Sequence, residues 1–216
     1  MVRKVVTREE WETARKALAE KETAALQALH NLAAERRELP MVKIDKSYQF
    51  HGPEGSTLSL ADLFGDKDQL IVYHFMFAPE NERGCNGCAF VGEHIPDLRH
   101  LRSRNTSMVV VSRAPFDKIA AWKEKLGWTF PWYSSYGSDF NYDFGGTVKG
   151  GGGEMANLSV FYKRDGEVYQ TYSIFPRGVE MLLGTYQLLD LTPLGRQDGP
   201  LGPAEFKLNY EYEADE

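Results

Sequence analysis

The most reactive chemistry in this sequence belongs to Cys85 and Cys88, its only cysteines, which enclose Asn86 and Gly87. A thiolate is a soft nucleophile, and a second thiol one helical turn away can attack the mixed disulfide that the first one forms. The spacing therefore suits two-electron exchange with a disulfide. When such a pair opens a helix, the first sulfur sits where unpaired amides and the helix dipole favour its anion. Cys85 is the expected nucleophile, Cys88 the expected resolving thiol, and Arg83 a nearby cation that can add positive potential. The same sulfurs also suit zinc. His94 and His100 are the nearest histidines in sequence after the pair, but on one helix they would point to different sides, whereas structural zinc sites show two close ligand pairs. An inert buried cysteine pair is a third reading.

A second group of candidates is polar. Arg113 closes an apolar run, at the carboxyl end of a strand where open α/β sheets collect ligands. Tyr136, Asp139, Asn141, Tyr142 and Asp143 follow and can line a ligand pocket beside it. The competing reading is a loop that packs its aromatics and hydrogen-bonds itself. His74, Trp128 and Trp132 fall within or beside apolar runs and read as core residues.

These side chains need a scaffold, and the elements are legible. Thr7 and Glu10 form a capping box, followed by a Pro-free stretch in which Trp11, Ala14, Leu18, Ala25, Leu29 and Leu32 recur at helical steps. One amphipathic helix is expected from Arg8 to Glu38, ending before Pro40, with its apolar stripe covered by the domain or by a second subunit. Tyr48 to His51 and a turn at Gly52 to Gly55 come next, then a helical turn at Leu60 to Phe64. Gln69 to Phe77 and Ser107 to Ser112 are apolar almost throughout, as strands buried on both faces are. Cys88 to Arg104 has a helical pattern interrupted by Pro96, and a second helix runs from Pro115 to Leu126. Trp128 to Ser134 reads as a short strand. Asp165 and Gly166 lie between two strand-like runs, Leu158 to Tyr162 and Val168 to Tyr172, and predict a hairpin. The glycine-rich stretch from Gly145 to Gly153 lacks the Lys and Ser/Thr of a phosphate loop and predicts a mobile connection. Val179 to Leu189 is the last expected helix.

Composition excludes several function classes. A net charge of −6 without a basic cluster argues against nucleic acid as a partner. Arg99, Arg102 and Arg104 complement the end of a helix instead. No apolar run approaches the ~20 residues of a membrane span, and the charged amphipathic start lacks a signal-peptide pattern. A cytoplasmic location is expected, with no membrane partner. Length allows one domain with an appended helix, divided as 1–40 (helix), 41–192 (α/β domain) and 193–216 (an extended tail ending in acidic residues).

Several strings identify a relationship: Cys85-Asn86-Gly87-Cys88, Val109-Val110-Val111-Ser112-Arg113-Ala114-Pro115, Gly127-Trp128-Thr129-Phe130-Pro131-Trp132, Ser134-Ser135-Tyr136-Gly137-Ser138-Asp139-Phe140-Asn141-Tyr142-Asp143-Phe144, Leu158-Ser159-Val160-Phe161-Tyr162 and Gly184-Thr185-Tyr186-Gln187-Leu188-Leu189-Asp190. From about Trp11 to Arg196 the chain resembles a thioredoxin-like bacterial family of unknown function, domain-of-unknown-function family 899. The resemblance implies a thioredoxin-like mixed α/β sheet flanked by helices, with the long N-terminal helix and C-terminal tail as additions. It also implies a redox class, though not a substrate. Three features depart from thioredoxins and their relatives: no proline in Glu154 to Leu158, where thioredoxins carry a cis-proline, a long acidic loop from Ala78 to Cys85, and no Thr-x-x-Cys motif of peroxiredoxins.

The resulting expectation is a thiol–disulfide oxidoreductase or thiol-dependent reductase acting through Cys85 and Cys88 on an unknown thiol or disulfide substrate, without a cofactor. A homodimer through the N-terminal helix is compatible with it. The alternatives are a non-catalytic binding module around Arg113 and, behind it, a zinc protein.

Overall fold

The computed structural model describes residues 4–174 and 176–212. By internal contacts the chain divides into two units, Met1–Pro40 and Met41–Glu216. In the first, α1 (Arg8–Arg37) opens with the expected capping box: the Glu10 amide donates to Thr7 Oγ1 at 3.2 Å, and the Thr7 amide donates to Glu10 Oε2 at 2.9 Å. Both bonds satisfy amides that the first turn would leave unpaired.

The second unit is built on an eight-stranded sheet of order β1-β8-β7-β4-β5-β6-β2-β3. In chain order its strands are β1 (Val42–Lys43), β2 (Gln49–His51), β3 (Thr57–Ser59), β4 (Gln69–His74), β5 (Thr106–Ser112), β6 (Trp132–Ser134), β7 (Asn157–Arg164) and β8 (Glu167–Ile174). β4, β5 and β6 run parallel, and β7 lies antiparallel to β4. The helices of this unit are α2 (Asn86–Gly92), α3 (Leu98–Arg102), α4 (Phe116–Lys125), α5 (Phe140–Asp143) and α6 (Gly184–Leu189). This is the thioredoxin-like arrangement of a mixed sheet flanked by helices.

The two apolar strands occupy the centre, and their alternation sorts two cores. Leu70 and Val72 of β4, with Val109 and Val111 of β5, face Phe50, Phe64, Phe140 and Phe161. Tyr73 of β4 and Val110 of β5, with Phe75 and Phe77 just beyond β4, face α2, α4 and the chain around Leu183 and Tyr186. Each fully buried Phe contributes about 2–3 kcal/mol by leaving water. The parity of β4 thus decides that Tyr73 joins the cysteine side and His74 the other. Asp165 and Gly166, with φ of 54° and 82°, form the two-residue turn between β7 and β8.

Four elements differ from expectation. The helix expected from Cys88 to Arg104 is two helices: Pro96 has no amide to continue α2, and Asp97 restarts the chain by accepting the Arg99 amide at 2.9 Å. β6 begins only at Trp132, because Gly127 and Trp128 close α4 in a Schellman pattern, their amides donating to Glu124 and Lys123 carbonyls at 3.0 and 3.1 Å. The last helix breaks at Leu183, which turns extended to be fully buried, leaving a 3-10 turn (Pro176–Leu182) before α6. Among its described residues the tail has no long helix or strand, yet these do not project as an arm. Its 3-10 turn Gly202–Glu205 lies on α2, Leu208 is buried, and the Phe206 ring stacks on Phe90 at 4.2 Å. The expected acidic end at 213–216 lies outside the described residues.

The glycine-rich connection is tied back on itself. Thr147 pairs with Glu154, the Val148 amide donates to Gly153 O at 2.9 Å, and the Met155 amide donates to Gly146 O at 3.0 Å.

Candidate functional site

β4 ends at His74, and the loop after it returns to the sheet before α2: the Cys85 amide donates to Met76 O at 3.0 Å. Cys85 is the N-cap of α2, in an extended conformation, with Cys88 in the first turn. Half-buried Cys85 keeps a path to solvent, whereas Cys88 is buried. Both are thiols.

The environment separates the two acidities. The Cys88 thiol beside it is the chief influence bringing the Cys85 thiol down to about 6; the Cys88 and Gly87 amides act in the same sense, and burial opposes them. Cys85 is therefore mostly thiolate at neutral pH. Burial pushes Cys88 well up, and the neighbouring Cys85 adds to it. The Met76 amide donates to Cys88 Sγ at 3.4 Å. No cation figures among the causes of the Cys85 shift: Arg83 is exposed and shares a cleft with Cys85 instead of setting its charge.

Tyr73 is a member of this site that sequence reasoning missed. Its ring is buried and its hydroxyl lies against the Cys88 sulfur, with no well-formed hydrogen bond to any partner. Burial, then the two cysteines, push its pKa well above the usual phenol range, so the hydroxyl keeps its proton. The signal was available in strand parity, since odd-numbered residues of β4 share the cysteine side.

Cys85 stands at the junction of two cavities. One, of about 470 Å³, carries the polar groups of Glu80, Asn81, Arg83, Asn86 and Glu154 along with Met76 and Ala78. The other, of about 270 Å³, is largely apolar: Tyr73, Met76, Cys88 and Ala156 line it together with Leu201 and Ala204 of the tail. Ala156 stands in the segment where thioredoxins carry their proline.

Arg113 is committed internally. Its Nε donates to Glu154 Oε1 at 2.7 Å and its Nη1 to the Tyr142 hydroxyl at 2.6 Å. Thr147 Oγ1 donates to the other Glu154 oxygen at 2.8 Å. Glu154, reached from 41 residues away, left no trace in local sequence pattern. Of the five polar candidates, Tyr136, Asp139 and Tyr142 line a cleft of about 390 Å³ with Arg113. Asn141 does not join them: it is buried and accepts from Ser135 Oγ at 3.0 Å. Asp143 is held by Lys46 at 2.6 Å and by the Tyr48 hydroxyl at 3.1 Å.

The histidines considered as zinc ligands have other work. His94 Nδ1 donates to Phe90 O of α2 at 2.6 Å, and Nε2 accepts the Thr185 amide in the first turn of α6 at 3.1 Å, so both ring nitrogens are occupied in joining the two helices. His100 lies exposed on α3. Among the described residues no three His, Cys, Asp or Glu side chains converge as a metal would require. His74 is a core residue, stacked on Phe140 and paired with Ser159 Oγ at 2.9 Å. Trp132 is buried, and Trp128 packs against it with ring centroids 5.7 Å apart.

Residues 1–212 match the family described as "Bacterial protein of unknown function (DUF899)". No curated protein matches the chain. Among solved structures, peroxidoxin BcpB from Mycobacterium tuberculosis is similar at 18% identity and TM-score 0.50, with 70% of this chain and 96% of that chain covered. A putative protein disulfide isomerase from Bacteroides thetaiotaomicron is similar at 16% identity and TM-score 0.45, with 71% and 90% covered. At 18% identity the likeness to the peroxidoxin speaks for the fold alone. No helix of the described residues is long and apolar enough to cross a membrane.

Proposed function

We propose that this chain, which belongs to the DUF899 family of bacterial proteins, is a thiol–disulfide oxidoreductase whose working pair is Cys85 and Cys88. The observation that carries the reading is the split in acidity within the pair. An accessible sulfur at the start of α2 is held as thiolate near neutral pH, while its buried partner keeps its proton. That division of labour is what sequential disulfide exchange needs. The structurally similar peroxidoxin BcpB is a protein of the same thiol-based class.

The steps follow from the geometry. The Cys85 thiolate attacks one sulfur of a substrate disulfide, the substrate S–S bond breaks, and the departing thiolate takes the Cys88 proton. Cys88, now a thiolate, attacks the Cys85 sulfur and expels the second half of the substrate, which takes a proton from solvent. The substrate gains two electrons and the pair becomes a disulfide, to be restored by an external dithiol. A reducing compartment such as the cytoplasm would keep the pair in its dithiol form.

The test is a redox titration of the full chain in dithiol/disulfide buffers, read by the mass added on thiol alkylation. A single reversible two-electron transition between about −270 and −120 mV, the range of Cys-x-x-Cys exchange proteins, is expected. It disappears in Cys85→Ser. Absence of any reversible transition in the unaltered chain overturns the proposal.

A further inference from the structure

The apolar cavity beside the pair is built like a binding chamber. Both sulfurs lie in its wall, and the tail residues Leu201, Pro203 and Ala204 line its other side, leaving a cleft of about 270 Å³. Apart from Cys85 itself, its one charged lining residue among those described, Glu180, is already paired with Arg196 at 3.0 Å. An anionic ligand would find no cation there to replace its hydration. One polar group is poorly spent: the buried Tyr73 hydroxyl makes no well-formed hydrogen bond and has only the Cys88 sulfur, a weak acceptor, beside it. A buried hydroxyl is ordinarily paired, so an acceptor brought by a ligand would complete it.

We infer that the chamber selects the substrate of the exchange reaction proposed above, and that this substrate is a small, uncharged organic disulfide. The inference rests on that reading for the chemistry, though not for the binding. One alkyl arm fills the space between Met76, Val91, Ala156 and the tail, which brings the disulfide against Cys85. When the Cys85 thiolate forms the mixed disulfide, the leaving sulfur gains negative charge, and the Tyr73 O–H donates to it. The Cys88 proton then converts it to a free thiol. With this arm held, the second exchange by Cys88 releases the other half and leaves the pair oxidised. Walls supplied by the tail make the chamber too small for a folded protein's disulfide loop, and glutathione disulfide carries carboxylates that only the polar cleft at Arg83 could receive.

The experiment compares the reduced full-length protein with di-n-propyl disulfide, glutathione disulfide and insulin, each rate divided by that of dithiothreitol with the same disulfide. A preference of tenfold or more for dipropyl disulfide is expected. Ala204→Phe, which adds bulk from the tail, should remove that preference by slowing dipropyl disulfide far more than glutathione disulfide, and Ala204→Leu should do so in part. Tyr73→Phe should slow the first exchange with dipropyl disulfide without moving the pH at which Cys85 becomes reactive. In parallel, Cys85→Ser is titrated calorimetrically with dipropyl sulfide, which cannot react. Saturable binding that Ala204→Phe abolishes supports the chamber even if the pair proves redox-silent. A reversible pair that reduces glutathione disulfide or insulin as fast as dipropyl disulfide, or no binding of the sulfide, overturns the inference and leaves the oxidoreductase reading standing.

Discussion

The Gly87 α-carbon lies directly beneath the tail: a β-carbon there would come within 3.3 Å of the Ala204 amide nitrogen. The residue between the two cysteines is therefore matched to a segment more than a hundred positions away in the chain, and tail and cysteine motif pack as one piece. Gly87→Ala tests the match. In a free helix the change would stabilise by up to about 1 kcal/mol. Here the tail must yield, so no gain in urea stability is expected, and Cys88 should become several-fold more reactive to a small alkylating agent. A full gain with Cys88 still protected would mean that the tail does not press on the motif.

Cys85 should show its acidity directly. Its alkylation rate is expected to rise with pH about a midpoint near 6, since only the thiolate reacts. The Cys88 thiol is the largest cause of the lowering, so Cys88→Ala should move that midpoint upward toward the ordinary thiol value of about 8.5. The linked effect on stability has a definite sign. Between about 6 and 8.5 the unfolded chain binds the proton that the folded one has lost, so this contribution grows as pH rises through that window. An unchanged midpoint in Cys88→Ala would assign the shift to the amides alone.

What was legible in the sequence was whatever depends on neighbours in the chain. The capping box at Thr7, the valine run of β5 and the Asp165-Gly166 turn are local, and each formed where local chemistry placed it. So did Cys85 and Cys88 at the start of α2. The features missed are pairings across long separations: Tyr73 against Cys88, Glu154 on Arg113, His94 capping α6 from 91 residues away. Such contacts depend on strand order and parity, which no stretch of residues encodes alone. The tail shows the same limit. Its prolines and glycines exclude regular structure, yet Phe206 and Leu208 carry enough apolar surface to hold it on α2.

His74 should make the fold sensitive to mild acid. Burial holds its imidazole down to about 4, whereas in the unfolded chain it titrates near 6.5. Between those values the unfolded state binds the extra proton, so stability falls as pH drops from about 6.5 to 4, by up to about 3 kcal/mol, and no further below. His74→Gln can keep a hydrogen bond to Ser159 but cannot titrate. Urea denaturation at a series of pH values should show the slope in the unaltered chain and a flatter profile in the variant. Parallel profiles would place the acid sensitivity elsewhere.

The Arg113–Glu154 pair gives the last expectation, and it turns on what remains after one partner is removed. Side-chain exposure is 7% for Glu154 and 19% for Arg113, so neither charge is well hydrated. Deleting one member of a fully buried pair costs roughly 3–5 kcal/mol, and the partial exposure of Arg113 reduces this to about 2 kcal/mol for Glu154→Ala. Arg113→Lys should lose nearly as much, because an ammonium cannot reach Glu154 and the Tyr142 hydroxyl with the spread of the guanidinium. Removing both charges, as in Arg113→Met with Glu154→Leu, should recover most of the loss, since two apolar side chains leave no unpaired ion behind. Equilibrium unfolding of Arg113→Met alone, Glu154→Leu alone and the double variant measures the coupling. If the double variant loses the sum of the two single losses, the pair does not act as a unit, and the loop from Gly145 to Glu154 must be held by its own backbone bonds instead.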